Sequence, residues 1–217
     1  SDTGHLRVKK IRYQTFAIIV KPSSSGEKTQ RFLKNLIHLL RSQPFLRTLE
    51  LSTILCRFPK HGLQILDPIF NKMKNLSHLD MRIISSVGLT NMSLFYLKRK
   101  LKSLKNLKKL QFNGSQNLSL NAKGIVLLIQ GYCYSPHIES LNLDFNNFMN
   151  FSESPGFTLL KHLPRNFQKI KSLRLGLEKT SIKDDHLKEI GLLFGRLKNL
   201  QTLSLSIGRS EERRVGK

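Results

Sequence analysis

Six segments of this chain share one spacing of apolar residues and recur at nearly constant intervals. They are Leu46-Leu49-Leu51, Leu76-Leu79-Met81, Leu107-Leu110-Phe112, Ile138-Leu141-Leu143, Ile170-Leu173-Leu175 and Leu200-Leu203-Leu205. Successive starts lie 30, 31, 31, 32 and 30 residues apart, and Tyr13-Phe16-Ile18 is a fainter copy 33 residues before Leu46. In each segment the last two apolar positions are two residues apart, the period of a strand with one buried face. A fixed period of this length overrides a domain count based on length and calls for an elongated array of like units.

The stretches between these segments carry a helical period. Phe32, Leu33, Leu36, Ile37, Leu39 and Leu40 form a stripe within Glu27 to Ser42, the pattern of an amphipathic helix. Comparable stripes lie in Gly62 to Met73, where Pro68 should kink the helix or mark a restart, in Leu89 to Leu104 and in Ala122 to Tyr134. Ser154-Pro155 reads as an N-cap with proline at the first helical position, opening a helix through Phe167. Asp184 and Asp185 place acidic charge where another helix begins. The expected fold is therefore α/β, with about seven strands and six helices in alternation.

These units resemble the leucine-rich repeat family, whose LxxLxL signature the six segments carry. The length of about 30 residues is similar to the long, ribonuclease-inhibitor-like type, in a degenerate, protist-like form. The Asn that follows the signature is matched as Asn146, while Ile54, Ile84, Ser115, Glu178 and Gly208 stand at the corresponding places. The resemblance implies a solenoid with a curved parallel sheet on its concave face and helices on its convex face. Packing leads to the same shape, because strands pair about 4.8 Å apart whereas helices need about 10 Å.

Strand alternation names the residues that turn away from the core. If Leu49 and Leu51 point inward, Thr48, Glu50 and Ser52 point outward, followed by rows built on His78, Asp80, Arg82; Lys109, Gln111, Asn113; Ser140, Asn142, Asp144; Ser172, Arg174, Gly176; and Thr202, Ser204, Ser206. Acidic Glu50, Asp80 and Asp144 balance basic Arg82, Lys109 and Arg174, so this face should be polar and near neutral. Such a surface suits a protein partner better than a nucleic-acid groove, which needs strong positive charge and aromatic platforms.

The net charge of +23, from 37 Lys and Arg against 14 Asp and Glu, must then lie elsewhere. Arg47, Lys72, Lys74, Lys105, Lys108, Lys169, Lys171 and Lys198 fall in the turns that lead into strands and should line one basic rim. That rim could hold a polyanion such as RNA, anionic membrane or an acidic protein, or could simply keep the array soluble. Lys98, Arg99, Lys100 and Lys102 form the densest cluster, on an outer helix.

No phosphate-cradling P-loop, HExxH or GxSxG motif is present, and His78 with Asp80 lacks an accompanying nucleophile. We therefore expect no enzymatic activity, cofactor or metal. Cys56 and Cys133 read as reduced thiols of a cytoplasmic protein, and the five N-x-S/T triplets, beginning at Asn75, Asn91, Asn113, Asn117 and Asn150, as chance. No apolar run reaches the roughly 18 residues of a spanning helix. Residues 1–12 read as a polar lead-in, 13–208 as the repeat domain and 209–217 as a non-repeat tail of adapter or vector origin, which suggests an internal fragment. The expected function is a monomeric, non-catalytic protein-binding module. The alternatives are a polyanion binder and the recognition part of a larger enzyme.

Overall fold

In a computed structural model of the chain, the described residues are 7–10, 15–20, 26–43, 45–58, 62–147, 165–180 and 182–208. Their strands are β1 (Arg7–Lys10), β2 (Thr15–Val20), β3 (Thr48–Ile54), β4 (His78–Ile84), β5 (Lys109–Asn113), β6 (Ser140–Asp144), β7 (Ser172–Gly176) and β8 (Thr202–Ser206). The α-helices between them are α1 (Gly26–Arg41), α2 (Asp67–Phe70), α3 (Asn91–Leu101), α4 (Ala122–Tyr132) and α5 (Asp184–Phe194). Short 3-10 turns cover Gly62–Leu66 and Arg165–Lys169.

The strands make one sheet in sequence order, with β2 to β8 parallel. Each of the six LxxLxL segments contributes one of its strands, as the period requires. The lead-in expected at 1–12 is corrected by β1, which pairs antiparallel with β2 and matches Val8 to Ile18. Its sequence, RVKK, has no apolar alternation, and its place is set by the free edge of β2. A basic edge strand also discourages further pairing there.

The helices follow the apolar stripes, α1 over its full length and α2, α3 and α4 with shorter ends. Pro68 does mark a restart: the 3-10 turn stops at Leu66 and α2 takes Pro68 in its first turn, where the missing amide costs nothing. Thr90 caps α3 reciprocally, accepting from the Ser93 amide at 3.4 Å while its own amide donates to Ser93 Oγ at 3.3 Å. Asn121 caps α4 through Lys123 N–H at 3.0 Å. Asp184 and Asp185 open α5. Most of the helix expected from Ser154 to Phe167 lies outside the described residues.

One face of the sheet is sealed beneath the helices. Leu49, Leu51, Leu79, Met81, Leu110, Phe112, Leu141, Leu143, Leu173 and Leu175 are all buried there, packed with Leu36, Leu97, Leu128, Ile190 and other helical side chains. Full burial of one such side chain is worth about 2 kcal/mol, so every unit depends on its neighbours for its core. Helix α4 approaches α3 closely at Gly131, where an added Cβ would stand 2.8 Å from Lys98 Cα and 3.0 Å from Lys98 O.

The backbone repeats outside the strands as well. Ahead of each strand, one carbonyl accepts from two successive amides of the next unit: Arg47 O from Ser77 and His78, Ser77 O from Lys108 and Lys109, Lys108 O from Glu139 and Ser140, Glu139 O from Lys171 and Ser172, and Lys171 O from Gln201 and Thr202. Beyond the strands, Leu55, Ser85, Gln116, Asn147 and Lys179 occupy equivalent places and all have positive φ, between 50° and 62°. None is glycine. Four of their amides reach across to the next unit, Leu55 to Ile84 O, Ser85 to Ser115 O, Gln116 to Asn146 O and Asn147 to Glu178 O.

After four of these turns the next residue points into the core. Cys56, Ser86, Asn117 and Thr180 are buried at matching places. Asn117 Nδ2 faces the carbonyls of Ile83, Gly114 and Ser115 at 2.6, 2.7 and 3.1 Å, and its Oδ1 accepts the Ser86 amide at 2.9 Å. The position expected for this inward Asn was that of Asn146, two residues earlier in its unit. There the residue instead stays at the surface, with Oδ1 accepting the Glu178 amide at 2.6 Å. Buried and bonded in this way, Asn117 is inaccessible as a glycan acceptor.

Candidate functional site: the open face of the sheet

The second face of the sheet carries no helix among the described residues. Register places its side chains in three columns, each crossing β3 to β8. The first is Thr48, His78, Lys109, Ser140, Ser172, Thr202; the second Glu50, Asp80, Gln111, Asn142, Arg174, Ser204; the third Ser52, Arg82, Asn113, Asp144, Gly176, Ser206. The ten residues singled out from sequence (Glu50, His78, Asp80, Arg82, Lys109, Gln111, Asn113, Asn142, Asp144 and Arg174) are thus brought onto one surface. A shallow depression of ≈ 330 Å³ runs across it, lined by Glu50, His78, Asp80, Lys109, Gln111, Asn142 and Arg174 among others. Arg82, Asn113 and Asp144 lie outside that lining.

Several of these groups are already engaged with one another. Arg82 Nη2 and Nε donate to Asp80 Oδ2 at 2.8 and 3.2 Å, so much of the charge of both is satisfied within the strand. Asp144 Oδ1 accepts from Ser115 Oγ at 2.8 Å, and Oδ2 accepts from Asn113 Nδ2 at 3.3 Å. Arg174 and Lys109 are exposed and enter no ion pair among the described residues, which makes them the cations most available to a ligand. His78 bonds Ser77 Oγ through Nδ1 at 2.8 Å rather than Asp80. Partial burial and the neighbouring Lys109 and Lys108 ammonium groups lower its pKa, with Glu139 opposing.

The residues singled out from sequence for a basic rim lie ahead of successive strands, where the double-acceptor carbonyls of Arg47, Lys108 and Lys171 tie neighbouring units together. Arg47, Lys72, Lys74, Lys105, Lys108, Lys169, Lys171 and Lys198 are all exposed. Lys108 Nζ stands 3.7 Å from Glu139 Oε1, and Lys169 Nζ donates to Pro136 O at 3.1 Å. Lys169, Lys171 and Lys198 converge with His137 and Glu139 on a rim depression of ≈ 670 Å³. Tyr132 fixes the turn beside Lys108, its hydroxyl lying against Lys108 O and 2.8 Å from Ser140 O. Burial holds this phenol far above its ordinary pKa.

The dense cluster on α3 is largely occupied by inter-helix contacts. Lys98 Nζ donates to Gln130 Oε1 at 2.6 Å, Lys100 reaches Asn71 Oδ1 at 3.1 Å and Asp67 Oδ2 at 3.3 Å, and Lys102 stands 3.9 Å from the Tyr134 ring centre. Two features escaped sequence reasoning. Asn106 and Asn199 each donate to a carbonyl of the preceding unit, Lys74 O at 2.9 Å and Gln168 O at 2.8 Å; the recurring Lys-Asn-Leu at 74–76, 105–107 and 198–200 was the available signal. Leu55, Val87 and Leu118 are exposed along the opposite rim, and no simple period marks them.

Among the described residues no three His, Cys, Asp or Glu side chains gather as a metal site, and no helix is long and apolar enough to cross a membrane. Cys56 and Cys133 are buried free thiols. Fold and surface together define an α/β repeat protein whose sheet, among the described residues, is covered on one side and open on the other. No protein-family model matches this chain, and no curated protein matches it.

Proposed function

We propose that the protein is a non-catalytic interaction module of the leucine-rich-repeat kind, which holds a protein partner on the open, concave face of its sheet. The observation that carries this reading is the set of in-register polar columns around the ≈ 330 Å³ depression. They present acids, bases and amides in fixed order without a dominant charge. A rigid sheet supports such recognition because its side chains are positioned before the partner arrives. Arg174 is the preferred anchor, since Arg is favoured at the centre of protein interfaces and this one is not consumed by a neighbour. Arg82 comes to a partner only by exchanging Asp80. The buried thiols fit a cytoplasmic setting.

The test compares capture by the wild-type chain, Arg174→Glu and the double variant Arg82→Glu/Arg174→Glu, with circular dichroism to verify the fold. One set of bound proteins lost in both variants supports the reading. Undiminished capture by a folded double variant removes it. A second reading, polyanion binding at the rim, is favoured by the convergence of Lys169, Lys171 and Lys198 on one depression. It requires retention on RNA or heparin that weakens steeply as salt rises; Lys171→Glu/Lys198→Glu should abolish that retention.

A further inference from the structure

The middle column of the open face runs in a fixed chemical order. Register aligns Glu50 with Asp80, Asp80 with Gln111, Gln111 with Asn142 and Asn142 with Arg174. From β3 to β7 the column therefore reads acid, acid, amide, amide, cation. Lys109 adds a second cation beside it on β5, and all of these residues line the ≈ 330 Å³ depression. The outward residues of β3 and β4 hold two acids, Glu50 and Asp80, against one base, Arg82. Those of β5 to β7 hold two bases, Lys109 and Arg174, against one acid, Asp144. A face that is near neutral as a whole is thus acidic at one end and basic at the other.

Pairing within the face narrows the choice of free charges. Arg82 answers Asp80 at 2.8 Å. Asp144 accepts from Ser115 Oγ, Asn113 Nδ2 and the Asn146 amide at 2.8, 3.3 and 3.2 Å. Glu50 at one end, and Lys109 and Arg174 at the other, are exposed and enter no ion pair among the described residues. The two cations stand on either side of β6, with Ser140 and Asn142 between them in register. An oxyanion seated over β6 meets two positive charges, a hydroxyl and an amide, and the Arg174 fork suits a carboxylate. Glu50 lies three strand spacings from β6, about 14 Å, and takes a cation.

This order selects its occupant. A continuous polyanion meets Glu50, and a polycation meets Lys109 and Arg174; like charges set against each other in this way disfavour both. Midway, Gln111 and Asn142 offer amide donors and acceptors. These suit a main chain whose own polar groups are unpaired, as those of an extended segment are and those inside a helix are not. An extended chain advances about 3.3 Å per residue, so 14 Å corresponds to about four residues. That even spacing turns both side chains to the same side of the segment.

We propose that the open face binds an extended segment of a protein partner that carries a basic and an acidic residue about four positions apart, the base over Glu50 and the acid over β6 between Lys109 and Arg174. This rests on the protein-binding reading above and adds the chemistry the partner must present. A random-peptide phage library selected on the 217-residue chain should enrich segments with that pair at that spacing. In calorimetry a synthetic consensus peptide should bind Arg174→Glu, Lys109→Glu and Glu50→Lys each at least about tenfold more weakly than wild type. Lys34→Glu, at an exposed site on α1, should bind it as wild type does. The same peptide with its acid replaced by lysine should fail on the wild-type chain and bind Lys109→Glu/Arg174→Glu, with circular dichroism verifying each fold. Selected peptides that depend on Arg174 but lack the pair overturn this inference and leave the protein-binding reading standing. A selection that yields no peptide dependent on Arg174 or Glu50 overturns it as well, whereas the reading itself falls only to undiminished partner capture by the folded Arg82→Glu/Arg174→Glu variant.

Discussion

Asn117 Oδ1 accepts the backbone amide of Ser86 at 2.9 Å, while the same side chain donates to Ile83 O at 2.6 Å. One buried amide thus holds both the entry and the exit of the turn that follows β4, from the neighbouring unit. Replacement by alanine takes this partner from the Ser86 amide and from the carbonyls of Ile83 and Gly114, while Ser115 O keeps the Ser85 amide; each unpaired buried group costs about 1–3 kcal/mol. Asn117→Ala should lower unfolding stability by about 3 kcal/mol, and urea denaturation followed by circular dichroism measures it.

Thr53 is the opposite case. It lies between Val20 and Ile83 in register on the covered face of the sheet, and its buried hydroxyl has no hydrogen-bond partner among the described residues. A desolvated hydroxyl without a bond opposes folding. Thr53→Val keeps the branched shape and removes the polar atom, so the thermal midpoint should rise, with a gain of about 1 kcal/mol. A fall would mean that the hydroxyl is bonded in solution.

At Gly131 a methyl group would meet the backbone of α3 at 2.8 Å, and backbone cannot rotate aside. Alanine gains about 1 kcal/mol of helix propensity over glycine, but overpacking costs about 1–3 kcal/mol and here should prevail. Gly131→Ala is expected to destabilise the protein, whereas Gly191→Ala, with nothing within 4 Å of the added carbon, should stabilise it slightly. Parallel melts of the two variants make the comparison.

Burial and then Lys109 lower the pKa of His78 below its ordinary 6.5. The fold therefore favours the neutral ring, so its contribution to stability is complete above the unfolded pKa and is lost as pH falls through the lowered folded one. An NMR titration of His78 should give a midpoint below 6.5, and Lys109→Gln should move it upward. An unmoved midpoint would remove Lys109 as a cause.

The strands and the open-face columns were legible because burial imposes a two-residue alternation that survives exchange among Leu, Ile, Met and Phe. Register then followed from period alone, placing Glu50 beside Asp80 and Asn142 beside Arg174. β1 was not legible: RVKK has no alternation, and its position depends on the unpaired edge of β2. Nor was the left-handed turn, where Leu55, Ser85, Gln116, Asn147 and Lys179 share a conformation without sharing chemistry. The inward polar position was missed because the signature was counted too short. The left-handed residue comes first, at Leu55, Ser85, Gln116 and Lys179, so Cys56, Ser86, Asn117 and Thr180 are buried two places beyond the one Asn146 holds in its unit. Pairing of Arg82 with Asp80 could be foreseen only as a possibility of spacing, since rotamers decide it.

The double-acceptor carbonyls and the turn-to-turn amides all join residues about one unit apart in sequence, as do the strand ladders. Closing such a loop carries nearly the same entropic cost wherever it occurs, so no distant pair has to find its mate before structure can accumulate. Any interior unit can then nucleate and recruit those on either side. Opening, by the same logic, follows local burial, and amides of β8, whose Leu203 and Leu205 are largely exposed, should exchange with solvent well before those of β5, whose Leu110 and Phe112 are sealed.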